Sequence, residues 1–136
     1  MQKLKKIDEH TNVITWFEIP VLDTPRAKHF YETILDIKMR TVPIGEEELT
    51  FFPSDPNVIQ ATSGRVTGVL TKSVTAKPSK EGTLIYLNAY PDIQTVIDRI
   101  EPAGGKLLQQ RTQIPAGYIA IFIDSEGNRM AIHAEE

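Results

Sequence analysis

A chain of 136 residues, 40% of them hydrophobic and 24% charged, has the make-up of one ordinary globular domain. A net charge of −3 argues against nucleic acid as a partner, and no apolar run is long enough to span a bilayer. With no cysteine, disulfides, thiolate metal sites and cysteine nucleophiles are excluded, and the basic start MQKLKKIDEH has no apolar core of the secretory type, so a cytoplasmic setting is expected.

Residues 1–12 are polar and read as a peripheral tail or an extra strand. Ile14–Pro20 is rich in β-branched and aromatic residues and predicts a strand. Alternation puts Trp16 and Glu18 on one face and Phe17 and Ile19 on the other. Asp23 and Thr24 are helix caps in waiting, and Pro25 suits a first helical turn. Ala27, Phe30, Tyr31, Ile34 and Leu35 then form one apolar helical stripe.

Short strands are predicted at Lys38–Val42 and Leu49–Phe52, around a turn whose Glu46-Glu47-Glu48 run reads as a solvated hairpin tip. Val58–Ala61 is a further strand candidate pairing with the one before, and Val66–Leu70 the next. Thr71–Gly82, polar and proline-containing, reads as a linker between halves. Its lysines are expected to be solvated, with a basic lip for an anionic ligand as the alternative.

The order then repeats. Thr83–Tyr90 predicts a strand, Asp92 a cap, and Ile93, Val96, Ile97 and Ile100 a second stripe, stopped by Gly104-Gly105. Lys106–Gln110, Tyr118–Ile123 and Met130–Ala134 are the remaining strands, and the almost wholly apolar Tyr118–Ile123 is expected to be covered on both faces. Asp124–Asn128 is a polar hairpin turn. Asp23 and Asp92 stand 69 positions apart (92 − 23), close to half the chain. That period predicts two β-α-β-β-β modules, at about 13–70 and 83–134, in an α+β fold. Each helix needs a sheet face to cover. Two facing, mostly antiparallel four-stranded sheets with the helices outside would leave a cleft for a small molecule.

This pattern resembles the vicinal oxygen chelate superfamily, which includes glyoxalase I, bleomycin-resistance proteins and extradiol dioxygenases. The likeness is carried by Asp23-Thr24-Pro25-Arg26-Ala27-Lys28-His29-Phe30-Tyr31, by Trp16-Phe17-Glu18-Ile19-Pro20, by Gly104-Gly105-Lys106 and by Phe122-Ile123-Asp124-Ser125-Glu126-Gly127-Asn128, with serine where the family usually has proline. It covers residues 13–134.

The resemblance implies four metal-ligand positions, which fall here on Trp16, on Ile85 or Tyr86, on Ala131 and on Thr67 or a neighbour. None is an imidazole or a carboxylate. Two residues along the same strand faces lie Glu18, Asn88 and His133, which offer two good donors and a weak third. The expectation is therefore binding of a small aromatic or cationic molecule with no metal or other cofactor, by Trp16, Glu18, Tyr86, Asn88 and His133, in a protein working as a homodimer. The alternative is a metal-dependent lyase, isomerase or dioxygenase using Glu18 and His133. Trp16 as packing, Glu18 paired with Arg65 or Arg111, and His133 as mere surface are the structural readings. Arg26 is expected to pair near the helix start, and His29 and His10 to be inert.

Overall fold

A computed structural model describes residues 6–136, so the first five residues of the N-terminal stretch lie outside it. Module one runs β1 (Phe17–Pro20), α1 (Thr24–Leu35), β2 (Arg40–Ile44), β3 (Glu47–Phe51) and β4 (Gly68–Lys72). Module two repeats it as β5 (Tyr86–Asn88), α2 (Ile93–Ile100), β6 (Lys106–Ile114), β7 (Gly117–Ile123) and β8 (Arg129–Ala134). The sheets have matching orders, β1-β4-β3-β2 and β5-β8-β7-β6. In each, the first strand lies parallel to the last and the other pairings are antiparallel. The α+β arrangement of two repeated sheet-and-helix units is as the sequence predicts.

Both helices start where the caps demand. Asp23 Oδ1 accepts from Arg26 N at 3.0 Å and Asp92 Oδ1 from Gln94 N at 2.9 Å, each satisfying an orphan N–H of the first turn. α1 ends on Asp36 in the left-handed region (φ 54). α2 is closed by the Gly105 N–H on Ile100 O at 2.9 Å, after Gly104 at φ 108. A methyl group on Gly105 would sit 2.7 Å from Ile123 O and 2.8 Å from the Phe30 ring, so only glycine lets α2 return this closely to the sheet.

The predicted stripes face the core: Ala27, Phe30, Tyr31 and Ile34 on α1 are buried and Leu35 half-buried, and Ile93, Val96, Ile97 and Ile100 on α2 are buried. They share one core with Ile19, Leu70 and Phe52 of module one and Leu87, Ala120, Phe122 and Ile132 of module two. Phe30 joins the modules directly, its ring 6.0 Å from that of Phe122. Burying aromatics of this size stabilises by about 2–3 kcal/mol each.

Four local expectations are corrected. Val58–Ala61 forms turns, held by Ser63 N to Ile59 O at 2.9 Å, because Pro56 and Asn57 start a loop. β1 begins at Phe17, and Ile14 stays exposed. β7 is central, but only Ala120 and Phe122 are buried against the helices, while Ile119, Ile121 and Ile123 on its other face are half-buried. Glu48 is not merely a solvated tip residue, since it accepts the Thr24 hydroxyl at 2.7 Å.

Candidate ligand-binding site

Residues paired directly across a sheet share a face. In module one, Ile19, Leu70, Thr50 and Thr41 form the row beneath the helices. The next row, Glu18, Val69, Phe51 and Arg40, therefore lies on the opposite face. In module two, Leu87, Ile132 and Ala120 face the helices. Asn88, His133 and Ile119, and likewise Tyr86, Ala131 and Ile121, face away. All five residues singled out from the sequence thus lie away from the helices.

They form two groups. Trp16, just before β1, is 40% exposed, meets Phe51 edge-on at 6.1 Å and points its indole N–H at Glu18 Oε2, 3.4 Å away. Glu18 is exposed, and neither arginine considered for it is its partner: Arg65 pairs with Asp55 at 3.6 Å, and Arg111 lies 3.9 Å over the Tyr118 ring. The guanidinium of Arg40 lies 6.0 Å from the centre of the Phe51 ring, so this face already attracts one cation.

The second group lines a cavity of about 490 Å³ formed by Tyr86, Asn88, His133, Ile114, Ala116 and Ile119. Tyr86 is 50% exposed. His133 is fixed by a 2.7 Å bond between Nε2 and Ala116 O, and Asn88 Oδ1 accepts from Tyr90 N at 2.8 Å. Glu18 lies in a separate cavity at the seam between the modules.

The turn before β8 holds the seam. Asp124, Glu126 and Asn128 are all buried. Glu126 accepts from Leu22 N and Asp23 N, both at 2.8 Å, and from Arg26 Nε and Nη2 at 2.7 and 3.0 Å. Arg26 thus pairs at the helix start as expected, with a partner a hundred positions away. Asp124 accepts the Tyr31 hydroxyl at 2.6 Å, and Asn128 Nδ2 donates to Pro20 O at 2.8 Å. Burial alone would raise the Glu126 pKa, but the bonds from Arg26, Asp23, Leu22 and Ser125 outweigh it and leave the carboxyl below its ordinary value. Burial, and then the neighbouring Asp124 charge, push the Tyr31 phenol well above its usual range. Sequence reading took this segment for a plain hairpin turn. Three polar residues with buried partners could be recognised only once the fold had brought α1 against them.

A family model for the glyoxalase/bleomycin resistance protein/dioxygenase superfamily matches residues 13–132. The chain belongs to this superfamily. Among solved structures of the superfamily fold, a glyoxalase/bleomycin resistance protein from Albidiferax ferrireducens is 18% identical with a TM-score of 0.66, over 89% of this chain and 97% of that one. The trypanothione-dependent glyoxalase I of Leishmania major is 18% identical with a TM-score of 0.65, over 91% and 87%. A hypothetical protein from S. aureus is 20% identical with a TM-score of 0.60, over 88% and 91%. At these identities the likeness concerns the fold. No curated protein matches the chain in sequence.

The glyoxalase-superfamily positions for a divalent ion do not fit one here. Trp16 and Ala131 carry no donor atom for it, Ala131 is wholly buried, and the Thr67 hydroxyl is spent on Pro53 O at 2.9 Å. Among the described residues no three of His, Asp and Glu gather closely enough to hold a metal. No described helix is long and apolar enough to cross a membrane.

Proposed function

We propose that this superfamily member binds a small aromatic or cationic molecule on its open sheet faces, without a metal. The observation that carries this reading is the exchange at the implied ligand positions: an indole, an alkyl or phenol group, a methyl and a committed hydroxyl stand where a cation would need donors. Without such an ion there is no Lewis acid to polarise a substrate carbonyl, and what remains is a recognition surface. Trp16 supplies an exposed π-face beside the Glu18 carboxylate, a combination suited to a cationic group. Tyr86, Asn88 and His133 supply a second aromatic wall with polar handles, next to the apolar Ile119.

The working unit in this reading is a homodimer, in which a second copy faces the half-buried Ile119, Ile121 and Ile123, so that the cavity beside Ile119 lies at the interface between the copies. Sedimentation equilibrium checks it, and a monomer at every concentration tested would remove the dimer from the account.

Trp16 is the chain's one tryptophan, so its fluorescence reports on the site directly. A thermal-shift screen of aromatic cations, with benzyltrimethylammonium as first probe, should raise the melting temperature and quench that emission. At 100 times the dissociation constant, binding adds about 2.7 kcal/mol of stability. Trp16→Ala, read by calorimetry, should weaken the probe by roughly tenfold. If no aromatic or cationic compound stabilises the protein, the binding reading fails.

A further inference from the structure

We infer a subsite for a small molecule carrying both a cationic and an anionic end, in the cavity of about 190 Å³ at the seam between modules, with Arg129 as its anion anchor. The inference shares only Glu18 with the reading above. Side chains of both signs line this cavity: Arg129 from β8, Lys77 and Glu81 from the stretch linking the modules, and Glu18 from β1.

None of these four is in an ion pair with another of the described residues. The described ion pairs are His10–Glu9, Arg26–Glu126 and Arg65–Asp55. Arg129 is the least satisfied of the four, since its Nε is buried without any hydrogen-bond partner. Its Nη2 reaches only the Gly82 carbonyl, at 3.4 Å. The Nε is closed off from solvent, so it is the Nη end of the guanidinium, held only by that one long bond, that a carboxylate entering the cavity would meet.

The cavity wall is built into the fold. The Arg129 backbone N–H donates to Ser79 O at 3.1 Å, and Ser79 N donates to Asn128 Oδ1 at 3.1 Å. Asn128 is itself fixed to Pro20 O at 2.8 Å and to Asp124 Oδ2 at 3.0 Å. The linking stretch is thereby pinned across the seam, presenting Lys77 and Glu81 to one small volume. A lone anion would satisfy Arg129 and Lys77 but oppose Glu18 and Glu81, and a lone cation the reverse. A short amino acid of the ω-amino type answers both signs at once.

Calorimetric titration with glycine, β-alanine, 4-aminobutyrate and 5-aminovalerate tests this, with propionate and propylamine as single-charge controls. One chain length should bind best, with both controls weaker by about tenfold or more. Arg129→Gln should weaken that amino acid by roughly ten- to hundredfold. Lys77→Gln, at an exposed position, carries the same test by a smaller loss should Arg129→Gln not fold. Trp16→Ala should leave amino-acid binding within about twofold while it weakens benzyltrimethylammonium, so the two readings fail separately. The subsite is overturned if no amino acid binds, if the single-charge controls bind as well, or if neither charge variant alters the affinity.

Discussion

The loops joining the last two strands differ between the modules. In module one, residues 52–67 make a long excursion whose Asp55–Arg65 pair, at 3.6 Å, stays largely exposed. In module two, the same step takes residues 124–128, and their Asp124, Glu126 and Asn128 side chains are all buried. The short loop holds the start of α1 and the end of β1, so module two clasps module one, with no equivalent grip in return among the described residues. Equal topology therefore does not mean equal work. One loop ties the modules together through buried polar groups, and the other leaves its ion pair to solvent.

The sharpest way to break that comparison is to empty the shared core beside the clasp. Phe30→Ala should cost about 3–5 kcal/mol in chemical denaturation, since its ring spans from α1 to Phe122 and fills the space over Gly105. Next comes the clasp. Glu126→Ala should cost about 3 kcal/mol, leaving Arg26 and two backbone N–H groups without their acceptor.

The pH dependence sharpens this further. Because the folded Glu126 carboxyl lies below its unfolded value, its contribution is present at neutral pH and is lost as the pH falls through the folded value. Glu126→Gln should therefore flatten the acid limb of the stability curve below the ordinary carboxylate range. Tyr31→Phe should cost about 1–2 kcal/mol, because Asp124 keeps its bonds from Asn128. The module-one loop sets the lower bound: Arg65→Ala should change stability by no more than about 0.5 kcal/mol. Equal losses at Arg65 and Glu126 would contradict the asymmetry.

The features legible in the sequence were those fixed by local physics. Asp23 and Asp92 announce caps because short acceptors suit the first turn, and the helical stripes follow from 3.6-residue periodicity. Two-residue alternation separated Glu18 from Phe17 and Ile19 but did not say which face meets the helices, which only the strand register shows. It failed at β7, where Ile119, Ile121 and Ile123 alternate with Ala120 and Phe122, so neither face declares itself polar. It also gave no sign that the five candidates fall into two separate groups rather than around one cleft. Lys77 is legible only as one lysine of the alternative basic lip and Arg129 not at all, because their meeting depends on a polar linking stretch docking through its backbone at Ser79. Backbone docking leaves no side-chain signature in a sequence.

The central claim is that the positions implied for metal ligands present groups that cannot coordinate. Dialysis against Ni²⁺, Zn²⁺, Mn²⁺ and Fe²⁺ in turn, followed by elemental analysis of the protein, tests it most directly. The account predicts only substoichiometric metal, unchanged in Glu18→Ala and His133→Ala. One firmly held ion per chain, released by either substitution, would contradict it and restore a metal-dependent reaction.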